Sequence, residues 1–515
     1  MRNYTERYTM TLRALLICLA LCMLLPFTGC GGGSVEVGAD ICADEASEIT
    51  VSYPPATLPA SASQIGDINA INTPEGFSLA KYPAGDIPRI YIETVSETGE
   101  NASPSHSHAA GITAEYSQCL LVVVDKKGGG HTAVADGTGM VRVRGNSTAG
   151  APKKPYNIKF TDKVPLLGMT RGRKWCLLAN MYDKSLMRNK ISYDFTATAG
   201  CSCPMQTRFV DVYVDGRLQG NYTLTTPASD GYIGLDIGNG DYIIERGGDR
   251  WDYGSTSRRV SPVYGIPFSY DNPDESLLTD EQRMEIKSLL TAVDEALEAQ
   301  DEAAIRKVMD INSFVAMYVT EELFKDCDIC HGSTYHYIKD GKIYAGPIWD
   351  MDLSMGNVSH WYDQEKYRIY NNMSDYRGRS LGLGNDDSAA GLWAQLDWYR
   401  PLMQCSFFRV LVHEKYVSLL DDIENIYREG GLIDQYLQEF GASFKRNYAE
   451  CGWSLTTTYC PYELERPFPT FGENVEYLRD WLRRRDAWLR GYFGISGSLP
   501  EDSPEYAVPE TRASW

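Results

Sequence analysis

Two pairs of acids, Asp326/Asp328 and Asp350/Asp352, stand towards the two ends of the stretch 326–357. Between them, Lys339-Asp340-Gly341-Lys342 reads as a tight reversal joining two aromatic, β-prone arms. Paired arms would bring the acids together at the open end of a hairpin, where carboxylates suit a divalent cation that carries phosphate oxygens. Gly346-Pro347-Ile348-Trp349 precedes the second pair, and Met351, Leu353 and Met355 interleave with it. Carboxylates among such neighbours are costly to bury without a cation. A structural acidic loop is the competing reading. A calcium-binding EF-hand does not fit: counted from Asp350, the glycine is seventh instead of sixth and no glutamate follows at the twelfth place.

A second stretch carries the opposite charge. Val141-Arg142-Val143-Arg144 alternates as a strand, residues 145–155 form a Gly/Ser/Pro loop with Lys153 and Lys154, and Tyr156-Asn157-Ile158-Lys159-Phe160 alternates again. In an acidic chain this cluster is a local departure and a candidate anion cradle; an ordinary solvated hairpin is the plainer reading. The loop is not a Walker A, since no Gly-Lys-Ser/Thr closes it. Downstream, Asp183 reads as the N-cap of a helix starting near Lys184, with Arg188 and Lys190 either surface charges or phosphate contacts.

The elements that must position these groups follow from periodicity. Short β-branched runs begin near residue 87, and Asp215-Gly216 and then Tyr242-Ile243-Ile244-Glu245 extend a mainly antiparallel sheet with one inserted helix. After Asp280 the pattern is helical: Thr279 and Gln282 form a capping box, and helices are expected over 313–325, 407–427 and 474–493. The last carries Arg479, Arg483, Arg484, Arg485 and Arg490, read as a solvated basic face on a core-closing helix.

The chain has 515 residues, 43% of them hydrophobic, with 34 Tyr and 10 Trp, enough for a substantial core. A formal charge of −20 argues against a nucleic-acid partner. No Gly-x-Ser-x-Gly or His-Glu-x-x-His signals a hydrolase. Residues 1–29 combine Arg2, Arg7 and Arg13 with a short apolar run ending at Phe27-Thr28-Gly29-Cys30, which resembles a bacterial lipoprotein signal with lipidation at Cys30. A plain secretory signal is the alternative. Residues 30–85 read as a flexible linker and 495–515 as a loose tail. Without Cys18, Cys22 and Cys30, the 13 cysteines leave ten, an even number that permits disulfides; Cys201/Cys203 and Cys327/Cys330 are the close pairs, read as packing or disulfide cysteines before redox or zinc ones.

Several ordered motifs together resemble the CotH kinase family of spore-coat-protein-H-like atypical kinases, over roughly residues 86–493. They are Arg144-Gly145-Asn146-Ser147, Lys153 to Phe160, Asp183-Lys184-Ser185-Leu186-Met187-Arg188-Asn189, Gly220-Asn221-Tyr222, Asp328 with Tyr335, and Trp349-Asp350-Met351-Asp352. The resemblance implies an α+β, protein-kinase-like two-lobed fold, with a β-rich lobe over about 86–275 and a mainly helical lobe over about 276–494. It implies transfer of the ATP γ-phosphoryl group to Ser or Thr of a protein substrate with Mg2+, or Mn2+ or Ca2+ in its place. Carried over, Lys159 resembles the strand lysine that neutralises nucleotide phosphates, with Lys154 and Arg144 beside it, and Asp350 the metal-holding aspartate, with Asp352 and Ser333 beside it. Asp328, in preference to Asp326, resembles the aspartate that orients the acceptor hydroxyl. Tyr344 is the candidate for stacking on adenine, packing within the sheet being its alternative. Relatives carry Asn five residues after the catalytic aspartate, where this chain has Ser333. An exported, membrane-tethered kinase is the reading favoured; a catalytically weak or inactive surface-binding protein of the same family is the other.

Overall fold

The computed structural model describes residues 78–94, 112–228, 235–237, 239–246, 259–260, 267–326, 333–357, 398–460, 463–464, 468–493 and 495. Cys30, Asp328, Cys327 and Cys330, and most of the expected linker and tail, lie outside them.

Seven strands close a barrel: β1 Arg89–Thr94, β2 Ser117–Val124, β3 Thr132–Val143, β4 Tyr156–Val164, β5 Gly172–Leu178, β6 Thr207–Val214 and β7 Arg217–Thr225, in the order β1-β2-β3-β4-β5-β7-β6. Neighbours are antiparallel, and β6 returns parallel to β1 to seal the ring. Alternation decides which way each strand faces. Ile90, Ile92, Leu121, Val123, Ile158, Trp175, Val210, Val212 and Leu224 form the interior, and closure leaves no open edge. Between β6 and β7, Asp215 (φ 48°) and Gly216 (φ 75°) make the tight turn their dipeptide specifies.

A second sheet, of order β12-β11-β8-β10-β9, contains β8 Tyr242–Arg246, β9 Arg259–Val260, β10 Pro267–Asn272, β11 Tyr335–Lys339 and β12 Lys342–Ala345. The expected hairpin is there: β11 and β12 pair, with Asp340 (φ 51°) and Gly341 (φ 70°) at the turn. Its partner differs from expectation. β8 leaves the N-terminal sheet and pairs with β11, placing His336 opposite Ile244 and Ile338 opposite Tyr242 on the core side. Alternation marks a strand but does not name its neighbour.

The helices are α1 Arg188–Ala199, α2 Asp280–Glu298, α3 Glu302–Val308, α4 Ile311–Phe324, α5 Tyr399–Gln404, α6 Ser406–Ser418, α7 Leu420–Tyr427, α8 Leu432–Ala449 and α9 Phe471–Tyr492. The molecule is thus α+β, with a β-rich N-terminal part. The capping box opens α2 as read, and a second one, Thr470/Glu473, opens α9. One hydrophobic cluster runs from the barrel's outer face (Leu178, Phe209) through α1 and α4 to Met351, Met355, Trp398 and Trp481. On α9, Arg485 is fully buried and donates to Glu322 at 2.6 Å, so the basic face is solvated only in part. Cys119, Cys201, Cys203, Cys405 and Cys451 are free thiols, and Cys201 and Cys203 do not bridge.

Helix α4 is buried on every side, its charged residues included. Glu321 lies there, and among the described residues its Oε2 has no hydrogen-bond partner. Burial, then the carboxylates of Asp326 and Glu322, push its pKa well above the usual range, which favours the neutral acid. A folded pKa raised above the unfolded one contributes stability that is full below the unfolded value and is lost as pH rises through the folded value. Glu321→Gln is therefore expected to melt above wild type at pH 9, with the gap closing towards pH 5 and its slope at most about tenfold in folding equilibrium per pH unit. Parallel melting curves across that range would show Glu321 to be ionised.

Candidate active site

Asp350 sits where the hairpin opens. Its backbone is left-handed (φ 55°, ψ 48°), a conformation that costs a non-glycine residue about 1–3 kcal/mol, and Met351–Leu353 follow as one 3-10 turn. Met351 and Leu353 point into the core while Asp350 and Asp352 stay half-buried, so the turn sorts apolar from acidic residues. The Ser333 hydroxyl donates to Asp350 Oδ2 at 3.0 Å, and the Asp350 N–H donates to the Tyr193 hydroxyl at 3.3 Å. The two sides of the hairpin meet there through Ser333 and Asp350; of the first acidic pair, Asp326 acts on Glu321 and Asp328 lies outside the described residues. Tyr193 in turn stacks on Trp349 (6.0 Å, 14°), and the Arg144 guanidinium lies 5.2 Å from the Trp349 ring centroid.

The Asp183–Asn189 motif supports this turn from below. Asp183 is fully buried; its carboxylate accepts from the Ser185 N–H and hydroxyl, from the Arg188 N–H, and from the Arg188 guanidinium at 2.5 Å. Burial alone would raise its pKa, but Arg188 and these donors hold it below the usual carboxylate range. The carboxylate folds the chain back on Ser185, Leu186 takes a positive φ of 63°, and helix α1 starts at Arg188, four residues later than the sequence suggests. Arg188 is neither surface charge nor phosphate contact. It donates onward to Ser354 O (3.0 Å) and Met355 O (3.2 Å), while Asn189 Oδ1 accepts the Met351 N–H at 2.9 Å. Lys190 is occupied by Asp194 and Thr207.

The basic groups come from the barrel. Register places Arg142 opposite Asn157 and Lys159 between Met140 and Lys174, on the face away from the buried Ile158 and Phe160. Lys159 Nζ and the Arg142 guanidinium lie 5.8 and 4.8 Å from the Tyr116 ring centroid. Among the described residues, no ion pair joins Lys159 to Asp350 or Asp352. Burial works against the charge of Arg144, but Cys176, Asp350, Tyr193 and Tyr335 around it raise its pKa, so it stays a cation facing Asp350. The 145–155 loop reaches the acidic turn itself, since Ala151 packs with Tyr182 and Leu353. Lys154 Nζ donates to Ala149 O at 2.7 Å within that loop.

Lys153, read with Lys154 as part of an anion cradle, has another task. Its buried ammonium donates to Ala179 O (2.8 Å), Asn447 Oδ1 (2.8 Å) and Asn221 O, one acceptor per hydrogen. Burial draws its pKa down to about 7, against the opposing effect of Cys451 and Asp211. A Cβ at Gly220 would stand 2.3 Å from Asn447 Oδ1, which accounts for the glycine in Gly220-Asn221-Tyr222. Two motifs far apart in sequence are thus halves of one buried joint between the barrel and α8. Tyr344, the candidate adenine partner, stacks on Tyr337 across the hairpin (4.6 Å, 6°).

Sequence reasoning missed Glu245 and Tyr193. Glu245 Oε1 accepts the Ser333 N–H at 2.8 Å, and burial, then Glu245, Asp271 and Asp350, push the Tyr335 phenol well up. The only signal for Glu245 was an acid ending an apolar strand. Among the described residues, no three His, Cys, Asp or Glu side chains group to hold a metal ion. The donors beside Arg144 are nonetheless carboxylate and hydroxyl oxygens, the hard ligands that Mg2+ takes while keeping several waters. Asp350, Asp352 and Ser333 are of the ligand types such a cation takes, and the structure joins two of them, Ser333 and Asp350.

None of the curated proteins compared with the chain matches it. The sequence model of the CotH kinase protein matches residues 141–489, from the end of β3 into α9, and so takes in the basic strands, the Asp183–Asn189 scaffold and the Asp350 turn. The chain belongs to the CotH kinase family.

Proposed function

We propose that the chain is an exported, membrane-tethered atypical protein kinase that transfers the γ-phosphoryl group of ATP to Ser or Thr hydroxyls of surface or secreted proteins. The observation that carries this reading is the tethered, left-handed Asp350 beside the Arg144 cation and beneath the 145–155 loop, inside the span of the family match. Phosphoryl transfer asks for positioning and charge neutralisation more than covalent chemistry, and this is what the residues supply. Asp350 and Asp352, with Ser333, would hold Mg2+ or Mn2+, which when bound neutralises charge on the β- and γ-phosphates. Lys159, Lys154 and Arg144 take the nucleotide phosphates, and Tyr344 lies against the base. Asp328 orients the acceptor hydroxyl and takes its proton as the new oxygen–phosphorus bond forms and ADP leaves.

The two-lobed division at about residue 275 goes with this reading, as does export. Support for tethering is the charged, apolar and Cys30-terminated leader; among the described residues no helix is long and apolar enough to cross a membrane. Calorimetry with ATP tests the nucleotide assignment. Wild type is expected to bind ATP with Mg2+ or Mn2+ present, and Lys159→Ala about 10–100-fold more weakly, the scale of one charge-assisted phosphate contact. Wild type that binds no ATP under either metal would favour the inactive surface-binding alternative.

A further inference from the structure

Ser333 makes two contacts that look in opposite directions. Its N–H donates to Glu245 Oε1 at 2.8 Å, and its hydroxyl donates to Asp350 Oδ2 at 3.0 Å. Its own backbone is left-handed (φ 59°), so the conformation that aims the hydroxyl at Asp350 has to be held by something outside the residue. Glu245 is well placed to hold it. It is the penultimate residue of β8, directly opposite Tyr335 of β11, and the next peptide is locked to the same segment by the Arg246 N–H donating to Thr334 O at 2.8 Å. Asp350 is among the groups that act electrostatically on Arg144, and a carboxylate free to turn would be drawn towards that guanidinium. An Asp350–Arg144 pair would consume the charge on both.

We propose that Glu245 and Ser333 form a positioning pair: Glu245 fixes the Ser333 backbone, and the Ser333 hydroxyl holds Asp350 Oδ2 away from Arg144, keeping Oδ1 available to a divalent cation. The pair rests on the kinase reading of the site. It also gives Ser333 a task at the position where the family resemblance implies Asn, since both residues bring a hydrogen-bond donor and Asn tolerates the left-handed region. Ser333 oxygen lone pairs remain open to the cation.

Mn2+ binding to the full chain, followed by electron paramagnetic resonance without nucleotide, separates this role from a merely structural one. Ser333→Ala and Glu245→Ala are each expected to weaken Mn2+ binding about 10–100-fold, the scale for residues that orient a metal ligand, with melting temperature held. Ser333→Gly, which relieves the backbone, is expected to lose as much as Ser333→Ala. Glu245→Gln keeps the acceptor oxygen and is expected to stay within about fivefold of wild type. The double variant Glu245→Ala/Ser333→Ala is expected to cost no more than the larger single loss, because the two act in series. A Ser333→Ala protein that binds Mn2+ as wild type does, or a Glu245→Gln protein as impaired as Glu245→Ala, overturns the pair while leaving the kinase reading intact. Wild type that binds neither Mn2+ nor ATP overturns both.

Discussion

Asp350→Asn is expected to lower phosphoryl transfer about a thousandfold while leaving the protein folded. The substitution is close to isosteric. Asparagine tolerates the left-handed backbone at φ 55°, and its carbonyl oxygen still accepts from the Ser333 hydroxyl, so the two constraints that fix the turn survive. Only the negative charge is lost, and with it the attraction for a divalent cation. Transfer measured with labelled ATP, beside a thermal melt within a few degrees of wild type, checks this. Retention of more than about a tenth of wild-type activity would remove Asp350 from the metal-holding role.

Arg188→Met is expected to destabilise the protein by about 3–5 kcal/mol, the cost of leaving a buried charge unpaired. Asp183 is fully buried and would lose its guanidinium partner, and Ser354 O and Met355 O would each lose a donor. Because the Asp183 pKa is depressed in the fold, its contribution is present above the unfolded value and is lost as pH falls through the folded one. The wild-type advantage over Arg188→Met should therefore shrink in acid. Urea denaturation at pH 7 and pH 3 checks both statements, and a loss under about 1 kcal/mol at pH 7 would contradict the first. ATP binding should fall as well, since Arg188 is the rivet between α1 and the segment that carries Asp350.

What could be read from the sequence was what neighbouring residues decide among themselves. Asp340-Gly341 and Asp215-Gly216 specify their own turns, and Thr279/Gln282 specifies its own cap, so each stands where expected. The first of those turns brings the two sides of the hairpin together, where Ser333, placed beside Asp350 by the family resemblance, meets it, because a hairpin fixes the distance between its ends. Burial is not local, and there the reading failed. Arg188, Lys153 and Arg485 look like surface cations in sequence; each is buried, its charge met by Asp183, by three oxygens and by Glu322. Nothing in Asp183-Lys184-Ser185 shows that its aspartate will fold back on Ser185 and delay the helix, because the cue for a cap and the cue for that turn are the same residue type. Glu245 was invisible for another reason. Its importance comes from β8 pairing with β11, a contact across some ninety residues that strand alternation does not encode.

The intact mass of the full chain after incubation with ATP and Mg2+ or Mn2+ tests phosphoryl transfer most directly. Mass increments of whole phosphate groups on the wild type, mapped to Ser or Thr and missing from Asp350→Asn, are the expected result. An unchanged mass in protein that also fails to bind ATP would contradict it.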